Sequence, residues 1–159
     1  MSPAESLVRL LGVLQPSLAM YLADSGIWTY PGDEEIKLAL ADLVGDHRSL
    51  VERAAVALEQ RSVPVPAPAY PITFTSCHDV DIESLVPRVI EGLRGQVATC
   101  DGLAAGCDDA AVAGIVREAR STSLRHVDVL EQVAAAARLR RSAARSVQAV
   151  AAVPPTAAS

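Results

Sequence analysis

Residues 33–60 read DEEIKLALADLVGDHRSLVERAAVALEQ, and this stretch decides the fold class. Its apolar positions recur at alternating intervals of four and three residues, which is the spacing of one buried helix face. The acidic residues at its start suit the positive end of a helix dipole. The sequence therefore predicts a helix over these residues, with an inward seam formed by Ile36, Leu40, Leu43, His47, Leu50, Ala54 and Ala57.

Three further segments have the same helical period. The first opens with Ser2-Pro3-Ala4-Glu5, a capping-box pattern, and contains Pro16, which predicts a kink or a local rearrangement. The third starts near residues 79–83 and ends at residue 106. The fourth opens at residues 108–109 and meets no helix-stopping residue before residue 154, so it would extend for roughly 65 Å and outrun the others. The predicted seams include Leu14 on the first helix, Leu93, Val97, Cys100 and Leu103 on the third, and Ala119, Thr122 and His126 on the fourth.

The composition agrees with an all-α chain. Half of the 159 residues are hydrophobic but only 3% are aromatic, so the core must be built from aliphatic side chains, which suits helix packing better than a sheet. We predict one bundle core over residues 1–135. Residues 136–159 are predicted to continue the last helix and to end in a frayed tail.

The connection between the second and third helices is different in kind. It contains Val63-Pro64-Val65-Pro66-Ala67-Pro68 and then Tyr70-Pro71, and closely spaced prolines cannot form a helix. The following Ile72, Thr73 and Phe74 are expected to lie against the helices. The length of this connection predicts a proline-rich crossover from one end of the bundle to the other.

The net charge and the cysteine usage limit the possible partners and the cellular location. The net charge is −5, and because the chain from residue 134 onward holds four arginines and no acid, the remainder is more acidic still. An acidic body argues against nucleic acid as a partner. Three cysteines without a CxxC pair predict reduced thiols and a cytoplasmic location. The first residues do not have the pattern of a signal peptide, and no apolar stretch has the length of a membrane span.

Four helices joined by short, long and short connections resemble the ferritin-like superfamily. That resemblance implies a bundle whose core holds two iron ions, with one Glu from each of helices one and three and Glu-x-x-His from each of helices two and four. Here Val44-Gly45-Asp46-His47 and Ser123-Leu124-Arg125-His126 keep both histidines but have Val44 and Ser123 in place of the glutamates. Leu14 occupies the expected position on helix one. Glu91 is the best remaining carboxylate on helix three, and it lies off the apolar seam.

Two readings of function follow from this departure. Two iron ions need several anionic oxygens, which this set does not supply, so we expect no ferroxidase and a non-catalytic protein that acts by self-association or partner binding. The alternative is a metal-binding protein or oxidoreductase in which His47 and His126 hold a single Fe, Zn or Mn ion. The damage-inducible three-histidine bundles are a weaker resemblance, because Thr122 stands where their third histidine would be. His78 is expected in a loop, away from the pair.

The basic end of the last helix is the remaining feature. Arg138, Arg141 and Arg145 share one helix face, and Leu139, Ala143, Val147 and Val150 form a weak apolar strip. This face is either solvated or a subunit contact, in which a homo-oligomer forms through the 136–151 helix.

Overall fold

The computed structural model describes residues 1–154 and contains five α-helices and no strand within that range. The predicted all-α class is confirmed. The helices are α1 (Pro3–Leu14), α2 (Leu18–Asp24), α3 (Glu34–Glu59), α4 (Ile82–Ala105) and α5 (Ala110–Ala151), with short 3₁₀ turns at Ile27–Thr29 and Ile72–Cys77. The predicted frayed tail beyond Pro154 lies outside the described residues.

The helix starts follow from their caps. Ser2 and Glu5 form the predicted capping box of α1. The Asp33, Asp81 and Asp109 side chains accept backbone N–H groups at the starts of α3, α4 and α5, respectively. Each carboxylate satisfies donors that a helix leaves unpaired in its first turn, and it meets the positive end of the helix dipole.

The segment predicted as one kinked helix is two helices. α1 ends at Leu14 and α2 begins at Leu18, with an angle of 59° between them. Pro16 has no N–H to continue the ladder, and the Ser17 side chain caps the new helix by accepting from the Met20 N–H. The break gives this side of the fold an irregular stretch halfway along its length.

Helix α1 and the three long helices pack against one another. α1 packs against α3 and α4, and α5 packs against the same two helices from the opposite side. The buried aliphatic side chains form two clusters, one at each end. The first cluster holds α2 together with the start of α3 and α4, and the second holds α1 together with their ends.

Residues 60–81 connect α3 to α4, and we call this segment the linker. Val63 and Val65 pack against the second cluster, whereas Phe74 packs against the first. The expectation for Ile72 and Thr73 was wrong, because both residues are exposed, Ile72 to 85%. In a 3₁₀ turn, side chains three positions apart share a face, so Phe74 and Cys77 face inward while Ile72 faces water.

α5 is longer than the other helices. Ala134 and Ala137 are its last buried residues, and every residue from Arg138 to Pro154 is exposed. Arg140 pairs with Asp33 and Glu35, and Arg141 pairs with Glu83. Residues 142–151 therefore continue beyond these contacts for about 15 Å.

None of the helices within residues 1–154 has alone the length and hydropathy of a membrane span; α1 and α2 taken together meet that test of length and composition, but they form a bent pair.

Candidate functional site: a buried polar layer

A layer of buried polar side chains separates the two apolar clusters. We define the polar layer as His47 on α3, Gln96 on α4, and Ser123 and His126 on α5; none of these residues is more than 4% exposed. On each of the three helices the layer residues lie between members of the first cluster and members of the second. The α1–α2 break brings the fourth side of the fold to the same level, because the Val13 carbonyl contacts Gln96.

Gln96 joins two neighbours. Its side-chain amide donates to the Val13 carbonyl at 3.1 Å, and its side-chain oxygen accepts from the Ser123 hydroxyl at 3.1 Å. The periodicity had assigned this inward position to Val97, which is only half-buried. Gln96 can be buried because both ends of its amide group have partners. A glutamine three residues after Leu93 and four before Cys100 was the available signal in the sequence.

His126 is hydrogen-bonded to Asp46, whose side chain is partly exposed. Its Nε2 lies 2.6 Å from the Asp46 Oδ2 atom, and the same oxygen accepts from Arg125 at 2.8 Å. Burial raises the pKa of the Asp46 carboxyl, but the hydrogen bonds from Arg125 and His126 outweigh that effect, so the pKa lies below its usual range. Asp46 therefore remains a carboxylate at neutral pH. The sequence reasoning did not identify Asp46 as the partner of His126.

His47 is the least satisfied member of the layer. It is fully buried, and neither ring nitrogen has a hydrogen-bond partner within residues 1–154; the Nδ1 of His126 also has none there. Burial, and then the proximity of His126, lower the pKa of His47 to about 4. His47 is therefore a neutral imidazole at pH 7, with one donor and one acceptor that find no partner among the described residues.

The positions expected to carry iron ligands have other chemistry. Leu14 and Val44 are buried in the apolar clusters, and Ser123 is bonded to Gln96. Glu91 is exposed and lies on the surface of α4. Within residues 1–154, no three His, Cys, Asp or Glu side chains are grouped so that they could bind one ion together.

The other sequence candidates lie apart from the layer. His78 follows the turn at Ile72–Cys77, and its Nε2 lies 2.8 Å from the Tyr21 hydroxyl, as expected for a loop histidine. Thr122 is buried beside the layer. Of the three cysteines, which are all free, Cys77 and Cys100 are buried and Cys107 is half-buried.

Comparison with known proteins gives no relatives: the chain matches no protein-family model, no curated protein and no solved structure. Its function must therefore be argued from its own residues.

Proposed function

We propose that this chain is a non-catalytic, ferritin-like bundle protein that lacks a di-iron centre and acts by self-association through the end of α5. The observation that carries the proposal is the exposed apolar strip on that helix. Leu139, Val147 and Val150 are 72%, 69% and 76% exposed.

The contacts of the linker support the ferritin-like part of the proposal. The Arg61–Asp109 ion pair brings the end of α3 beside the start of α5. The hydrogen bond from the Ile82 N–H to the Pro31 carbonyl brings the start of α4 beside the start of α3. These contacts favour a linker that runs along the length of the helices, like the single long connection of ferritin-like folds.

The residues at the ligand positions do not fit a di-iron centre. Leu14, Val44 and Ser123 offer no anionic oxygen, and the one remaining candidate, Glu91, is exposed on α4. Two iron ions need bridging and charge-neutralising carboxylates. We therefore assign the polar layer a structural role in this proposal, in which Gln96 and Ser123 join α4, α5 and the end of α1.

The end of α5 is an unusual helix if it has no partner. An isolated helix of about ten residues is marginal in water; the rest of α5 nucleates this segment, but most helix stability in proteins comes from packing one apolar face. Residues 142–151 have no such packing within the described chain, because every residue there is exposed. A partner that covers Leu139, Val147 and Val150 would provide it.

A second copy of this chain fits the strip by its symmetry. In an antiparallel pair centred near residue 145, Leu139 would face Val150 of the other copy and Ala143 would face Val147. Such a contact uses the same surface on both subunits, as a two-fold dimer requires. The arginine face with Arg145 points away from the strip, so like charges would not meet at its centre.

The test of this proposal is sedimentation velocity on two variants with the same added charge. Val147→Glu places a carboxylate on the strip, whereas Gln148→Glu places one about 100° around the helix, at an equally exposed site. We expect the unmodified chain and Gln148→Glu to sediment as dimers and Val147→Glu as a monomer. Identical behaviour of all three proteins would contradict self-association through this strip.

The proposed location of the protein is the cytoplasm, and no nucleic acid partner is proposed.

A single metal ion at His47 and His126 is the second candidate. It is favoured by the three ring nitrogens that find no hydrogen-bond partner in the part of the chain that the structure describes, since an imidazole nitrogen is a common ligand for Fe, Zn and Mn. The protein would supply two nitrogen ligands, and the remaining ligands would have to come from water or from a substrate. The Nε2 of His126 is already bonded to Asp46, an arrangement that orients metal-bound histidines in other proteins.

Elemental analysis tests this candidate. The untagged protein is measured as purified, and again after incubation with iron, zinc or manganese followed by desalting. Near-stoichiometric metal that disappears in the His47→Ala, His126→Ala double variant would support the site. No retained metal, or equal metal in the double variant, would contradict it.

A further inference from the structure

An open cleft of about 530 Å³ lies beside the polar layer. It is bordered by the α1–α2 break on one side, by α4 on the other, and by Phe74 of the linker at one edge. His47 belongs to its lining although this residue is fully buried, so His47 lies at the inner end of the cleft. This volume is in the range of small-molecule sites.

The side chains that line the cleft are mostly apolar, and several lining positions are glycines. Pro16, Leu18, Val89, Leu93 and Phe74 supply aliphatic and aromatic surface. Glycines replace side chains along both edges, at Gly12 on α1 and at Gly92 and Gly95 on α4. A Cβ atom added at any of these glycines would have no neighbour within 4 Å. The missing side chains therefore leave room for an apolar molecule.

The inner end of the cleft offers hydrogen bonds that the protein does not use. Both ring nitrogens of His47 are without a hydrogen-bond partner among the described residues. A buried polar group without a partner costs free energy, so a ligand group that satisfies it is favoured.

We propose that this cleft binds a small uncharged molecule with an apolar ring and one hydroxyl group, and that the hydroxyl group bonds to the imidazole of His47. The ring would lie over Gly92 and Gly95 against Leu18 and Val89. Because His47 is covered, binding requires a rearrangement of the side chains at the inner end of the cleft. This proposal is independent of self-association at the end of α5.

The charge at the two ends of the cleft supports an uncharged ligand. His47 is neutral, and its burial penalises any charge brought beside it. Arg88 and Glu91 border the outer side and carry opposite charges, so they give no net attraction to an anion or a cation. Arg88 is already engaged, since its guanidinium donates to the Cys77 sulfur at 3.1 Å.

The test is a titration of the full chain, followed by amide chemical shifts, with para-propylphenol and with propylbenzene. The two probes differ only in the hydroxyl group. We expect saturable shifts of residues around Gly12, His47 and Gly95, and binding of the phenol about tenfold tighter than of propylbenzene, as the gain of one buried hydrogen bond predicts. The His47→Leu variant should bind the two probes with about equal affinity.

A matched pair of glycine variants locates the site. Gly95→Leu fills the cleft, whereas Gly45→Leu makes the same change at an exposed α3 glycine with equally open surroundings. We expect Gly95→Leu to weaken para-propylphenol binding at least about tenfold and Gly45→Leu to leave it unchanged. The proposal is overturned if the phenol gives no saturable shifts, if both probes bind equally, or if the two glycine variants behave alike. These three outcomes can be measured even if the His47→Leu variant does not fold.

Discussion

The side-chain amide of Gln96 hydrogen-bonds to the carbonyl of Val13, at a distance of 3.1 Å. In a continuous helix, that carbonyl would accept the N–H of residue 17 instead. Pro16 ends α1 before this bond forms, and a side chain from α4 takes its place. The break in one helix and the buried glutamine in another are therefore two parts of one arrangement, which also includes Ser123.

Replacing Gln96 with leucine should destabilise the fold. The change leaves the Val13 carbonyl and the Ser123 hydroxyl without partners, and one unsatisfied buried group costs about 1–3 kcal/mol. Because Ser123 is buried but Val13 is only half-buried, we expect the free energy of unfolding, measured by urea denaturation, to fall by about 1–3 kcal/mol. Gln132→Leu, at an exposed position of α5, is the matched control and should change it by less than about 0.5 kcal/mol.

A second substitution separates the hydrogen bonds from packing. Ser123→Ala removes the hydroxyl group that Gln96→Leu leaves unpaired. In the Gln96→Leu, Ser123→Ala double variant we expect part of the lost stability to return. If the effects of the two substitutions simply add, the Ser123–Gln96 bond is not the source of the destabilisation.

The stability of the protein should depend on His47 at mildly acidic pH. Burial lowers the pKa of His47 from 6.5 to about 4 in the folded state. Between these values the unfolded chain binds more protons than the folded chain, so the free energy of unfolding decreases as the pH falls through this window and is unaffected above it. The full shift corresponds to about 3 kcal/mol.

Urea denaturation between pH 7 and pH 4 measures this dependence. His47→Leu should lose the decrease, because no group then titrates at that position. His78→Gln should retain it, since His78 is exposed and lies in the linker. A His47→Leu protein with the full acid dependence would show that other groups are responsible.

Asp46 should stabilise the fold through its two hydrogen bonds. Asp46→Asn keeps the shape of the side chain but removes the charge that His126 and Arg125 face. Because Asp46 is 43% exposed, we expect a loss of only about 1 kcal/mol, reduced further by salt. Asp42→Asn, at an exposed position of the same helix, should have no measurable effect. Equal losses in both variants would mean that net charge, and not this contact, matters.

The sequence predicted the long helices well because their ends carry local signals. Asp33 and Asp109 are N-caps whose carboxylates act within three residues, so they can be recognised without knowledge of the fold. The burial of His47 and His126 also followed from the helical period. In each case the deciding interaction is short-range.

The features that were missed depend on contacts between distant residues. Gln96 is buried instead of Val97 because a carbonyl more than 80 positions away accepts its amide. Asp46 pairs with His126 from another helix. Arg141 was expected to face solvent or a neighbouring subunit, but it pairs with Glu83 near the start of α4. Arg140, which was not assigned to that face, pairs with Asp33 at the start of α3. Spacing along one helix contains no information on such partners.

Sedimentation equilibrium of the unmodified chain, over a wide range of protein concentrations, is the most direct test of the proposed function. The chain has a mass of 16.6 kDa. If the end of α5 mediates self-association, the average mass should rise with concentration toward that of a dimer, and it should do so without added metal. A mass that remains that of the monomer at every concentration would contradict the proposal.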